Sequence, residues 1–328
     1  MADILEEKFK VISNYIDAEL EKPNYQTPLN QGLLTSDVNG NIVIVKPGDE
    51  VKIKIATGTV GDFVIDNGGV IEAKRTEARD VTLDFSYGAK RAEFFTRELE
   101  SEAGRQAIMP QTASSIATNA IIFHEKLFIN HVLRKLDFDD GDADQTVAWD
   151  YGAEIRFDKI GVSRSHIEKA KTIMREKLSK REQSLIDSSL VLVSSRRLAS
   201  TILQSSLYAD YKNTGYKDGE INPMQVFYNI FGIPVYFFDD NRFSEAGLLP
   251  ENIDAGGHPG GYCYLLRREA WKTCFVNDSA QALTGSISLR QNYIDNRNAI
   301  EFIASTGGGS TLIDEDGIVR IAYRSEML

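Results

Sequence analysis

The segment 56–80 constrains this chain more than any other. It lies between two alternating strand patterns: Val51, Ile53 and Ile55 against Lys52 and Lys54, then Val81, Leu83 and Phe85 against Thr82 and Asp84. Between them stand Gly58, Gly61, Asn67, Gly68, Gly69 and the charged string Glu72 to Asp80, with only Phe63-Val64-Ile65 to bury. So long a stretch with so few apolar anchors does not pack inside a compact domain. It is expected to project as a two-stranded hairpin, a shape that is commonly functional. Ile42 and Ile44, alternating with Val43 and Val45, give one further strand ahead of it.

The rest of the chain is ordered around that projection. Ile4, Leu5, Phe9, Ile12, Tyr15, Ile16 and Leu20 form a helical stripe over 2–21 that ends near Pro23. Residues 24–40, with Pro28, Gly32, Asn39 and Gly40, read as an extended arm. From 89 to 136 the period turns helical, through Phe94, Phe95, Leu99, Ala103 and on through Ile116, Ile121, Leu127 and Leu133, as one long helix or two in series broken at Met109-Pro110. A helix over 163–183, capped by Ser163 or Ser165, precedes the continuously apolar strand Leu190 to Val193 and a helix over 196–207. Strands are expected at 231–237, 262–266, 286–289, 298–304 and 318–323, which makes the body α+β.

Composition excludes several classes. At 328 residues the chain is long enough for about two domains of roughly 150. Its 37 Lys and Arg against 48 Asp and Glu leave a net charge of −11, the wrong sign for a duplex-binding protein. Cys263 and Cys274 are too few for a disulfide scaffold and fit two buried thiols in a reducing, intracellular setting. The acidic start MADILEEKFK lacks the pattern of a signal peptide, and no apolar run reaches the ~18 residues of a membrane span.

No catalytic or metal constellation emerges. His124 and His131 are seven apart, not the three or four of ligands on one helix, and are expected as two semi-exposed imidazoles. His166 in a first helical turn and His258 in the glycine-rich loop 256–261 accompany no nucleophile motif. Asp137, Asp139, Asp140, Asp142 and Asp144 fail the calcium-loop pattern, since the sixth position from Asp140 is Gln145 and the twelfth Tyr151. Thr306-Gly307-Gly308-Gly309-Ser310 runs into no helix or lysine and reads as a flexible turn. The basic residues Arg164, Lys169, Lys171, Arg175, Lys177, Lys180 and Arg181 fit a solvated helix face. The expectation is no enzyme, cofactor, metal or small-molecule substrate.

Arm, projecting hairpin, long helix and α+β body, in that order, resemble the major capsid proteins of tailed double-stranded DNA bacteriophages, the Hong Kong 97 type fold. The residues that carry the resemblance are the turn-strand Lys46-Pro47-Gly48-Asp49-Glu50-Val51, Val81 to Phe85, the helical region 95–136, Ser189 to Leu198, Gly261 to Leu266, and Ala299 to Ala304 with Gly317 to Ile321. Phe231-Gly232-Ile233-Pro234-Val235 is similar to the family's turn into an axial-domain strand. The resemblance implies an N-terminal helix and arm at 1–41, an extended loop at 42–92, a spine helix and peripheral domain at 93–207, and an axial domain at 208–328.

It also implies a self-assembling head subunit in hexamers and pentamers of an icosahedral shell, located in the virion and assembled in the host bacterial cytoplasm. Portal and scaffolding or decoration proteins are the implied partners, with DNA as enclosed, non-specific cargo and no membrane. Some relatives cross-link through a loop lysine; Lys74 is the only candidate here and no partner asparagine is placed, so no cross-link is expected. Physics agrees: an arm and hairpin that bury little in their own subunit need neighbours to offset their ordering entropy. An encapsulin-like nanocompartment shell is the alternative, separated by its protein cargo, and an enzyme is the other rival, separated by a bound cofactor.

Overall fold

The computed structural model describes residues 14, 42–46, 52–57, 77–83, 85–95, 101, 107–135, 146–147, 162, 164–177, 190–198, 201, 229–230, 232–251, 259–276, 287–294 and 299–325. The expected arm, the hairpin tip with Lys74, the acidic loop 137–145 and His258 lie outside them. Of the expected N-terminal helix only Asn14 is described, and it is helical.

Two sheets share the strands. The first joins β1 (Ile42–Val45), β10 (Trp271–Val276), β12 (Ala299–Leu312) and β11 (Ile287–Ile294), with β4 (Ser86–Phe95) also paired to β12. The second runs β5 (Thr146–Val147), β13 (Ile318–Arg324), β9 (Gly260–Arg267), β6 (Leu190–Ser195), β8 (Ile233–Phe238) and β7 (Asn229–Ile230). β2 (Lys52–Thr57) and β3 (Glu77–Thr82) pair only with each other among the described residues, in register from Lys52 opposite Thr82 to Thr57 opposite Glu77.

The helices explain the burial patterns. α1 (Met109–Phe128) holds Pro110 in its first turn, where a missing N–H costs little; Ala107 and Ile108 ahead of it are already helical, so the expected break at Met109-Pro110 is not found. Its end widens into a π turn over Ile129–Leu133, with the Arg134 N–H on the Ile129 carbonyl at 3.0 Å. Ile116, Ile121 and Phe128 of α1 share one core with Phe275, Ile300 and Phe302 of the first sheet and Val191, Val193 and Tyr264 of the second. On the opposite face of the second sheet, α2 (Arg164–Lys177) packs Ile167, Ala170 and Met174 against Leu190, Leu192, Leu265 and Val319. β6 is therefore covered on both faces, which is why it reads as a continuous apolar run and why all six of its residues are buried.

The structure corrects two expected elements. Residues 89–95 are not the beginning of the helix. They belong to β4, which pairs antiparallel with β12 from Ser86 opposite Gly308 to Phe95 opposite Ala299. The partner strand lies some two hundred residues away, and its ladder overrides a local spacing that suits either period. The preceding strand stops at Thr82, and Leu83 instead plugs the hairpin root, 2% exposed, against Cys274, Val43, Ile53 and Phe85.

The second correction is the glycine tract. Thr306 to Ser310 is no flexible turn but the buried middle of β12, paired to both β4 and β10. A β-carbon at Gly308 would meet the Cys274 carbonyl oxygen at 2.7 Å and collide with the His124 ring. Glycine here lets α1 lie directly on the strand.

Candidate assembly interface

The hairpin is held at both ends, and at its root Ile53 packs against Leu83 and Cys274. β1 precedes it, paired to β10, and β4 follows it, paired to β12, so the chain on either side of the hairpin is stapled to the first sheet. Cross-strand pairs Ile53–Val81 and Ile55–Arg79 alternate with Lys54–Asp80, which leaves the two-stranded ribbon one mixed and one polar face. At its foot stands Tyr87, 59% exposed, the one exposed large hydrophobic side chain among the described residues, edge-on to Phe85 at 6.0 Å.

Beneath this foot, between α1 and the first sheet, opens a cleft of about 380 Å³. Ile116, Ala120 and Phe123 form one wall, Gly88, Ala304 and Ile287 the other, with Lys90 at the rim hydrogen-bonded to Ser115 Oγ at 2.6 Å. The walls are apolar and the rim is cationic.

α1 buries two polar residues adjacent in sequence, one on each of two flanks. His124 turns to the first sheet: 2% exposed, it lies 3.1 Å from Thr306 Oγ1 through Nε2 and 4.9 Å from the Phe275 ring. Burial pushes its pKa down to about 4, so the imidazole is neutral at pH 7. This corrects the expectation of a semi-exposed histidine at 124; among the described residues His131 and His166 are the partly exposed histidines. Glu125 turns to the other flank, 3% exposed, and burial pushes its pKa up to about 7 despite Arg242 and Arg196.

The remaining expected residues are scattered. Cys263 in β9 and Cys274 in β10 are buried, not disulfide-bonded, and in different core clusters, and burial raises the Cys263 pKa. On α2, Lys169 is exposed as expected, but the Lys171 side chain is only 11% exposed and pairs with Glu168 at 3.7 Å, and Arg175 is half-buried, so the basic residues do not form one solvated face. Among the described residues no three His, Cys, Asp or Glu side chains gather where a metal ion would bind. Reading the sequence missed Glu125, Tyr87 and the buried pair of Arg267 with Asp314. Glu125 had left a signal, since Ile121, Glu125 and Phe128 share one helical stripe at spacings of four and three.

The sequence matches no protein-family model and no curated protein. Solved structures do match. The head structure of Helicobacter pylori bacteriophage KHP40 superposes with a TM-score of 0.61 at 10% identity, over 94% of this chain and 95% of that one. The capsid of the native GTA particle gives 0.55 at 12% identity, over 93% and 92%. This chain has the Hong Kong 97 type capsid fold. The same capsid fold is met in the holo-SrpI encapsulin complex from Synechococcus elongatus PCC 7942, with a TM-score of 0.53 at 12% identity over 94% and 93%.

Proposed function

We propose that this chain is a structural subunit that self-assembles, as hexamers and pentamers, into an icosahedral bacteriophage head around packaged double-stranded DNA. The observation that carries the reading is the β2–β3 ribbon, rooted in the first sheet at both ends and paired with neither sheet, in a chain that keeps the capsid fold over more than nine-tenths of its length. A ribbon of that kind gains enough contact to order only from neighbouring copies. The segments 1–41, 42–92, 93–207 and 208–328 serve as arm, extended loop, spine with peripheral domain, and axial domain, the last two interleaving their strands in the sheets.

The subunit acts through surfaces and not through chemistry, in the virion after assembly in the host cytoplasm. Portal and scaffolding or decoration proteins are its partners. The encapsulin likeness supports a second reading, a nanocompartment shell. Particles recovered from producing cells separate the two: nuclease-protected duplex DNA supports the head, and a protein cargo without DNA supports the compartment.

A further inference from the structure

The flank of α1 that carries Glu125 faces the short helix α3 (Asp240–Glu245). Glu125 is 3% exposed and its Oε1 has no hydrogen-bond partner; Arg242 Nε on α3 is likewise buried and unpartnered. The other charged groups that act on Glu125 are Asp239, which caps α3 by accepting the Asn241 N–H at 2.9 Å, and Arg196 at the end of β6. Beside them Asp240 is committed to the Arg197 N–H at 2.8 Å. On α1 itself Lys126 is paired with Glu245 at 2.8 Å, tying the same two helices at their rim, and His124 faces the opposite sheet.

Arg242 as a whole is half-buried, with its Nε withdrawn from water, and an ionised carboxylate beside it would attract it more strongly than in water. Here neither Glu125 Oε1 nor Arg242 Nε has a hydrogen-bond partner. We propose that Glu125 is a proton-operated latch between α1 and α3: the protonated acid leaves α3 where it is described, and loss of the proton to solvent draws the Arg242 guanidinium onto the carboxylate and turns α3 against α1. The burial that holds the acid near neutrality sets the working range around pH 7.

The turn has a built-in reporter. Phe243 of α3 packs on Phe238 at 5.8 Å, Phe238 stacks on Phe128 at 5.7 Å, and Phe128 meets Trp271 edge-on at 5.8 Å. Phe128 lies three residues beyond Glu125, so movement of α3 reaches the indole through three rings.

The test uses the full chain carrying Trp149→Phe, so that Trp271 is the only tryptophan, with emission recorded from pH 5 to pH 9. A one-proton transition centred near 7 is expected, absent in both Glu125→Gln and Glu125→Met and moved up by about one unit in Arg242→Gln, which removes the attracting charge. Hydrogen exchange of the 240–248 peptide, corrected for its intrinsic pH dependence, gives a second readout with the same expected transition. The absence of a transition in both readouts, its persistence in the Glu125 variants, or a midpoint unmoved by Arg242→Gln would each overturn the latch.

Discussion

Arg267 Nη2 donates to Asp314 Oδ2 at 2.9 Å across 47 residues of chain, at the point where both strand crossovers between the two sheets pass each other. β9 leaves the second sheet and becomes β10 through the turn 268–270, while β12 leaves the first and becomes β13 through 315–317. Ile313 and Asp314 both donate their N–H groups to the Ala270 carbonyl, at 2.7 and 3.1 Å, so the two crossings lie backbone on backbone. The Arg267 side chain is 8% exposed and that of Asp314 29%.

That geometry makes the pair a clamp between sheets. Asp314→Ala takes the nearer of two carboxylates from the buried Arg267 guanidinium, Glu269 standing at 3.9 Å, and removes the acceptor of the Asp316 N–H, for an expected loss of about 1–3 kcal/mol in urea denaturation. The double variant Arg267→Met, Asp314→Ala is expected to recover part of it, because the buried charge is gone. Equal losses in the single and double variants would show that the pair is not coupled.

His124 and Glu125 make opposite demands on pH. His124 is held neutral with its pKa lowered from 6.5 to about 4, so its contribution is full above pH 6.5 and is lost as pH falls towards 4. Glu125 is held protonated with its pKa raised from 4.5 to about 7, so its contribution is full below 4.5 and is lost as pH rises towards 7. Between 4.5 and 6.5 folding merely exchanges a histidine proton for a glutamate proton, and the pair leaves stability flat. Removing one member uncovers the other: Glu125→Gln should gain stability with rising pH across 4–6.5, and His124→Gln should lose it across 4.5–7, each by about 3 kcal/mol over its window. Denaturation midpoints measured against pH check both signs.

Gly232 has φ 81° in the two-residue loop that joins β7 to β8, with Ile230 opposite Ile233. No atom lies within 4 Å of a β-carbon built there, so the constraint is on the backbone and not on space. Gly232→Val is expected to cost on the order of 1–3 kcal/mol and Gly232→Asn clearly less, since asparagine tolerates that region. Gly308→Ala fails for the other reason, contact with the Cys274 carbonyl and the His124 ring, and is expected to cost at least as much. Thermal unfolding of the three variants ranks them.

What the sequence disclosed depended on how local its cause was. β1, β2, β6 and β13 follow from alternation or from a continuous apolar run, and α2 from the buried spacing of Ile167, Ala170 and Met174. β4 was hidden because the residues that make it a strand, Ala299 to Gly308, lie far along the chain. The glycines at 307–309 look like a loop until Gly308 is seen beneath His124 of α1 and Gly307 beside Tyr87 and Val276. His124 looked semi-exposed because a helix with one buried flank would leave it so, and α1 has two. Glu125 was readable as a polar residue on an apolar stripe, but its neighbours Arg242 and Arg196 come from elements that only the fold brings near.

The ribbon's role follows from its register. Thr57 stands opposite Glu77, so deleting 58–76 and joining the ends through Asn-Gly closes a two-residue hairpin without disturbing β2 or β3. The shortened chain should unfold cooperatively at nearly the midpoint of the full chain, since Leu83 still seals the root against Cys274. Loss of cooperative unfolding would mean that the projection belongs to the subunit's own core.

Electron microscopy of the purified full-length chain, with the shortened chain beside it, tests the central claim most directly. The account predicts closed icosahedral shells of uniform diameter from the full chain and only unassembled, folded subunits from the shortened one. Shells of unchanged form from the chain without its ribbon tip, or a full chain that stays monomeric at high concentration and in the presence of its producing cell's lysate, would contradict it.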